Sequence, residues 1–240
     1  MQKNLGIFLM KLPLTGYGLR ELILFPLLIT ALAVTCWYVW PGGRPWCQLL
    51  FGLLLLAVLA FFRDPPRRIP DEPGILLAPA DGKITDIGEF DEREFIQGKT
   101  QRIGIFLSVA DVHINRSPCA GQVGYVQAHP GKCYNALKSD MASQHNRANC
   151  VGIQCPDHPA DMVLVKQITG AIARRIVCRI KPGDILSAGE RFGMIKFGSR
   201  TELFLPVNKQ AKIIVKKGDI VRAGTTILVR YDSRNLQESS

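Results

Sequence analysis

The sequence predicts a mainly β protein carried on an N-terminal hydrophobic helical hairpin, and three features predict it. Two uninterrupted apolar runs stand near the N-terminus. Short β-branched runs cut by Gly, Pro and Asp fill the rest, and one pattern of residues occurs twice near the C-terminus. With 47% hydrophobic residues among 240, the composition excludes a disordered or collagen-like chain. The length admits one good-sized domain with an appendage, or two small domains.

The first apolar run, Leu22 to Trp40, and the second, Trp46 to Phe62, contain no charged residue. A helix needs about 20 apolar residues to cross the hydrocarbon core, so the first run suffices and the second is slightly short. Pro41-Gly42-Gly43-Arg44-Pro45 joins them and reads as a turn, because its prolines and glycines interrupt a helix. Trp37, Tyr38, Trp40 and Trp46 cluster beside that turn, where amphipathic rings favour the headgroup level. A cleaved signal peptide fits poorly, because a second apolar run follows at once with no small-residue cleavage site between.

Lys3, Lys11 and Arg20 precede the hairpin, Arg63, Arg67 and Arg68 follow it, and Arg44 alone lies in the turn. Positive-inside counting places both ends and the body on the cytoplasmic side of the cell (inner) membrane. A shallow hairpin that does not span stays open. Residues 1–62 are thus read as the membrane hairpin, 63–73 as a basic linker whose arginines anchor to headgroups, and 74–240 as the body.

From Arg63 onward the chain carries +7 of its formal +10 charge. Such a body beside a bilayer is read as leaning on anionic membrane lipids. Nucleic acid is not the expected partner, since no helix-turn-helix, zinc-finger spacing or aromatic RNA-binding pattern occurs. The seven cysteines form no CxxC pair, so reduced thiols and no metal site are expected.

Strands are expected at Ile75–Ala78, Lys83–Ile87, Ile103–Leu107, Val123–Val126 and Met162–Val165, spaced as in a sandwich or barrel. The stretch around Asn135 to Asn146 reads equally as helix or loop. Ile180-Lys-Pro-Gly-Asp-Ile-Leu-Ser-Ala-Gly189 and Val215-Lys-Lys-Gly-Asp-Ile-Val-Arg-Ala-Gly224 echo each other. Each reads as strand, Gly-Asp turn, short hydrophobic step and a second glycine, similar to the hammerhead hairpins of biotinyl and lipoyl carrier domains. That likeness concerns fold and assigns no function.

Three residues at the ends of β runs offer chemistry. Gly198-Ser199 supplies a hydroxyl, Asp81 a carboxylate on a tight turn, and His113 an imidazole. Converging, they would form a nucleophile, an orienter and a base; separately, each is an ordinary turn or bulge.

In five segments the chain resembles the short, bacterial type of phosphatidylserine decarboxylase proenzyme, over nearly its whole length. They are Phe62-Arg-Asp-Pro-Pro-Arg-Arg-Ile-Pro70, Ala78-Pro-Ala-Asp-Gly-Lys83, Asp111-Val-His-Ile-Asn-Arg-Ser-Pro118, Gly170-Ala-Ile-Ala-Arg-Arg-Ile-Val177 and Gly193-Met-Ile-Lys-Phe-Gly-Ser-Arg200. The resemblance implies self-cleavage at Gly198-Ser199, giving a β chain of 1–198 and an α chain of 199–240 that stay associated as a heterodimer. It implies a covalently bound pyruvate, the pyruvoyl group derived from Ser199, whose ketone forms a Schiff base with phosphatidylserine and yields phosphatidylethanolamine. His113 is then the expected proton donor or base, and Asp81 the acid that supports self-cleavage. Arg174 and Arg175 would point to opposite faces of a strand, so that one of them is a candidate for clamping the lipid phosphate through its planar fork, a structural ion pair being the other reading.

Two positions depart from the family pattern. Long-type members carry a second histidine where this chain has Arg116, and the run His145-Asn-Arg-Ala-Asn149 lacks the usual Glu. The remaining histidines, 129, 145 and 158, read as loop residues. Rival functions are a carrier domain modified on Lys196, a membrane serine protease with a Ser/Lys pair, and a non-enzymatic scaffold.

Overall fold

The computed structural model describes residues 13–132, 134, 143–156, 158–170, 175–196 and 199–231. It divides into two compact units, residues 1–66 and 67–240.

The first unit is a helical pair. α1 covers Leu19–Val39 and α2 covers Arg44–Phe61, joined by a 3-10 turn at Pro41–Gly43. Both are long and apolar enough to cross a membrane, over Gly16–Val39 and Pro41–Phe61. The second segment reaches this length because helical structure already begins in the turn, where prolines at a helix start cost no hydrogen bond. Leu27, Leu28, Leu53 and Leu56 point outward and are exposed, an arrangement that water disfavours and lipid does not. Arg44 does not hang loose: its Nε donates to the carbonyl of Trp37 (2.8 Å) and its guanidinium lies over the Trp37 ring.

The antiparallel helices also bring the last turn of α1 against the first of α2. There Cys36 and Cys47 form a disulfide with Cα atoms 6.7 Å apart. This corrects the expectation of reduced thiols for that pair. Cys119, Cys150, Cys155 and Cys178 are free, and Cys133 lies outside the described residues.

The second unit is β throughout. Its strands are β1 (Ile75–Leu77), β2 (Gly82–Glu92), β3 (Gly98–Leu107), β4 (Ile114–Arg116), β5 (Gly121–His129), β6 (Ala148–Cys155) and β7 (Asp161–Thr169). There follow β8 (Ile176–Cys178), β9 (Ile185–Leu186), β10 (Arg191–Ile195), β11 (Ser199–Pro206), β12 (Ala211–Ile213), β13 (Ile220–Val221) and β14 (Ile227–Tyr231). Eight of them form one curled, half-barrel sheet in the order β13-β2-β3-β11-β7-β6-β5-β9. Two three-stranded sheets, β1-β14-β12 and β4-β10-β8, complete the body. The core gathers Leu76, Ile84, Ile103, Ile105, Val151, Val165, Phe192 and Leu203, all essentially inaccessible to water. Most of the Asn135–Asn146 stretch lies outside the described residues.

The two echo segments are built alike, atom for atom. In each Gly-Asp turn the aspartate carboxylate accepts from a lysine amide, Asp184 from Lys181 and Asp219 from Lys216, both at 2.9 Å. Gly183 and Gly218 hold φ of 97° and 102°, a region that favours glycine because it has no Cβ to clash. Each turn then docks on a long strand: Gly183 N donates to Val123 O (2.8 Å) and Gly218 N to Ile84 O (2.9 Å). The short strands that follow, β9 and β13, close the two opposite edges of the large sheet. Lys196 does not stand at a hairpin tip. It is buried, so a carrier-type modification of that lysine has no accessible amine.

Candidate active site

Ser199 opens β11, which runs between β3 and β7 in the large sheet and pairs there with Leu107 on one side and Thr169 on the other. The residue is completely buried, and its Oγ has no hydrogen-bond partner among the described residues. An unsatisfied buried hydroxyl costs about 1–3 kcal/mol, and a reactive role is among the few reasons a fold leaves one. Gly198 lies outside the described residues.

Alternation along β11 turns Ser199, Thr201 and Leu203 toward the core and Arg200 and Glu202 toward the opposite face. On the core side a chain of buried polar groups crosses the strands. Asn149 Nδ2 donates to Gln167 Oε1 (2.9 Å), Gln167 Nε2 to Asn115 Oδ1 (2.8 Å), and Asn115 Nδ2 to Thr201 Oγ1 (3.0 Å). Register explains the first link, because Asn149 pairs with Gln167, which in turn pairs with Thr201.

His113 directly precedes β4 and is also completely buried. Its Nδ1 lies 2.9 Å from the carbonyl oxygen of Asp111. With the proton on Nδ1 donated there, Nε2 is the basic nitrogen. The carbonyl of His113 accepts from Ile195 N (3.2 Å), which places the histidine one strand pairing away from the segment leading into Ser199. The Asn115–Thr201 hydrogen bond joins the strand after His113 to the strand that begins at Ser199. His113 and Ser199 thus belong to one buried region.

Asp81 makes two polar contacts. Its Oδ2 receives Arg67 Nη2 (2.8 Å) and its Oδ1 receives the amide of Ala223 (2.8 Å). Arg67 is therefore no headgroup anchor: it is largely buried, because burying the Asp81 carboxylate demands a paired charge. The turn carrying Asp81 still reaches the site. The carbonyl of Pro79 accepts from Asn115 Nδ2 (3.2 Å) and from Arg116 N (3.0 Å). Gly82 follows with φ of 150°, where a Cβ would fall 2.1 Å from the carbonyl oxygen of Phe106. Arg116 donates from Nη1 to the carbonyl of Gly189 (3.0 Å) and so serves an echo turn.

Behind Ser199, on the other face of the sheet, Arg200 is completely buried in an ionic network. Its Nε donates to Glu202 Oε1 (2.7 Å), its Nη1 to Thr85 Oγ1 (2.5 Å), and its Nη2 to Asp86. Arg102 also pairs with Asp86 (2.8 Å), and Ser143 Oγ donates to Glu202 Oε2 (2.9 Å). Burial pushes the Asp86 carboxyl up, but the charge of Arg200, the hydrogen bonds from Thr85 and Arg200, and Arg102 outweigh it and hold it below its ordinary value.

Arg175 precedes β8, and its carbonyl accepts from Lys196 N (3.2 Å); Arg174 lies outside the described residues. His129 ends β5 rather than lying in a loop, with Nε2 at 2.9 Å from Glu94 Oε2. His158 is fixed between the carbonyl of Ile75 (3.0 Å) and the amide of Ala160 (3.1 Å). Glu94, His129 and Cys150 bring ligand-type atoms within 4.8 Å of one another. Glu94 is already bonded to His129 and to the Tyr125 hydroxyl, and burial pushes the Cys150 thiol up to about 12, against the thiolate a metal needs. Sequence reasoning missed Asn115, Gln167 and Thr201. Their signal was weak: a polar residue at an inward position of a strand.

The body is thus a β enzyme scaffold that buries one serine at the head of a strand and one histidine beside it. The family model for phosphatidylserine decarboxylase matches residues 54–229. Proteins named phosphatidylserine decarboxylase proenzyme are close in sequence. That of Rhodopirellula baltica is 43% identical over 92% of this chain and 89% of its own. That of Carboxydothermus hydrogenoformans is 48% identical over 77% and 84%, and that of Chlorobium chlorochromatii 38% over 91% and 100%. The chain belongs to the phosphatidylserine decarboxylase family.

Proposed function

We propose that this chain converts phosphatidylserine to phosphatidylethanolamine after cutting itself between Gly198 and Ser199. The observation that carries this reading is the buried hydroxyl of Ser199, without a hydrogen-bond partner among the described residues, at the head of a strand held by hydrogen bonds on both sides. Family membership supplies the reaction, and the relatives' shared name, proenzyme, supplies the processing.

Self-cleavage follows from the chemistry of the two residues. Ser199 Oγ attacks the carbonyl carbon of Gly198, and the peptide C–N bond breaks, leaving an ester and a free amine on residue 199. A base then removes the Cα proton of residue 199. The ester departs as the Gly198 carboxylate, and hydrolysis of the resulting enamine releases ammonia. Glycine at 198 suits the close approach, since no Cβ blocks the carbonyl. Residue 199 is left as a pyruvoyl group, covalently bound pyruvate, whose ketone supplies the sink for the electrons released with CO2.

The residues around position 199 fit such a group. Thr169 and Leu107 hold the strand, and Asn115 and Thr201 on its core-facing side are polar and uncharged. His113, with Nδ1 committed to Asp111, offers Nε2 to take or return a proton. Asp81 supports cleavage at one remove, by fixing the turn whose Pro79 carbonyl orients Asn115. Arg175, or Arg174 beside it in sequence, supplies a guanidinium for the substrate phosphate. After cleavage the β chain of 1–198 and the α chain of 199–240 remain a heterodimer, because β11 lies hydrogen-bonded between β3 and β7 of the larger fragment.

The helical pair anchors the enzyme at the cell (inner) membrane, with the body on the cytoplasmic side against anionic lipids. The Cys36–Cys47 disulfide at the turn end supports this sidedness, since disulfides persist on the oxidising side. The test is mass spectrometry of the purified protein, with CO2 release from carboxyl-labelled phosphatidylserine in micelles. A small chain beginning at residue 199 with a ketone in place of its amine is expected. Ser199→Ala should stay uncut and release no CO2, and CO2 release from an uncut chain would overturn the reading.

A further inference from the structure

The geometry points to a phosphodiester-binding pocket between Arg147 and Arg175, in a cavity bordered by β5, β6 and β8. This rests on the function proposed above and goes further, since it adds Arg147 and places the lipid phosphate in a defined cavity.

The cavity holds about 550 Å³. Arg147, Arg175 and Asn149 supply polar walls, and Val126, Ile176 and Ile180 supply apolar ones. Among the described residues no aspartate or glutamate lines it, and His129 on its wall is bonded to Glu94. Two arginines on one cavity offer donors to an anion, and the planar fork of arginine matches phosphate oxygens.

Each arginine sits beside the cleavage segment. The carbonyl of Arg147 accepts from the amide (3.0 Å) and hydroxyl (3.1 Å) of Thr169, and Thr169 is the strand partner of Ser199. The carbonyl of Arg175 accepts from the amide of Lys196, three residues before Ser199. Strands lie about 4.8 Å apart, so the Arg147 backbone stands roughly 10 Å from that of Ser199, within reach of a long side chain. In a phosphoserine headgroup the amino nitrogen and the phosphorus are four bonds apart. An amine held at residue 199 therefore brings its phosphate within reach of the Arg147 side chain.

The polar chain Asn149–Gln167–Asn115–Thr201 runs from the cavity wall to the residue two beyond Ser199. Every amide in it is buried and engaged, so this floor is fixed in orientation before substrate arrives. Chemistry selects the phosphate, not the carboxylate, for the arginines. Pairing the departing carboxylate with a guanidinium would stabilise the charge that must be lost, favouring ground state over transition state.

The test uses the full chain with Arg147→Gln and Arg175→Gln. Both should cleave as wild type does, with KM for a short-chain phosphatidylserine raised on the order of 10-fold and kcat little changed. A second readout needs no pyruvoyl group. In the uncut Ser199→Ala chain, calorimetric affinity for the same lipid should fall about 10-fold with either arginine change, while affinity for O-octyl-L-serine, which lacks phosphate, stays constant. Arg147→Lys should recover part of the loss. Unchanged lipid affinity in these variants, or an equal loss for the phosphate-free ligand, overturns the pocket. Inorganic phosphate binding as tightly as the lipid would make it a site for free phosphate and overturn the lipid assignment. A wild-type chain that stays uncut speaks against the proposed function alone, because the calorimetry still decides the pocket.

Discussion

Arg200 Nη2 donates to both carboxylate oxygens of Asp86, at 2.8 and 2.7 Å, tying the residue after Ser199 to β2. Gly104 makes room for it: a Cβ there would fall 1.9 Å from Arg200 Nη2. If the chain is cut before Ser199, this grip holds the new terminus of the small fragment to the large one. Removing one partner of a buried ion pair costs about 3–5 kcal/mol, so Arg200→Met should lower the thermal midpoint strongly and slow cleavage. Thermal unfolding with a gel time course checks it, and a variant as stable and as fast as wild type contradicts it.

His113→Ala should reduce decarboxylation on the order of 10²-fold or more, the usual scale for a positioned acid or base. Turnover is measured on protein already shown by gel to be cut, so that processing and catalysis are read separately. Near-normal turnover in the cut variant means that another group moves the proton.

Stability should fall as the solution is acidified from neutrality. Burial lowers the pKa of His158 from its ordinary 6.5, although the Ile75 carbonyl and Asp161 pull the other way. A lowered folded-state value means that the unfolded chain binds the proton more readily. Its contribution is complete above about pH 6.5 and is lost as pH falls toward the folded value. The thermal midpoint of wild type should drop by more between pH 7 and 5 than that of His158→Gln. Parallel curves would remove His158 from the account.

The disulfide gives a test of sidedness. After treatment with a membrane-impermeant reductant, an impermeant maleimide should label Cys36 and Cys47 in intact spheroplasts and leave Cys178 unlabelled until lysis. Labelling of the pair only after lysis would reverse the proposed orientation.

The helical pair was legible because its signal is local: a run of apolar residues with a Pro-Gly turn declares itself without reference to the rest of the chain. The same holds for the echo turns, where a Gly-Asp step at matching positions encodes matching geometry. Gly198-Ser199 stands out through resemblance rather than spacing, since a Gly-Ser pair between apolar strands is an ordinary turn by itself.

Sequence alone determined that the protein joins two long apolar helices to a β body, and it singles out one Gly-Ser dipeptide. Tertiary structure alone decided the company those residues keep. Arg67 with Asp81, Arg200 with Asp86, Asn115 with Thr201, and Arg147 beside the partner of Ser199 are contacts between distant parts of the chain. Such contacts depend on strand register, and a slip of one residue would turn every side chain to the other face. Composition and periodicity describe a strand, but only its neighbours say what each side chain meets.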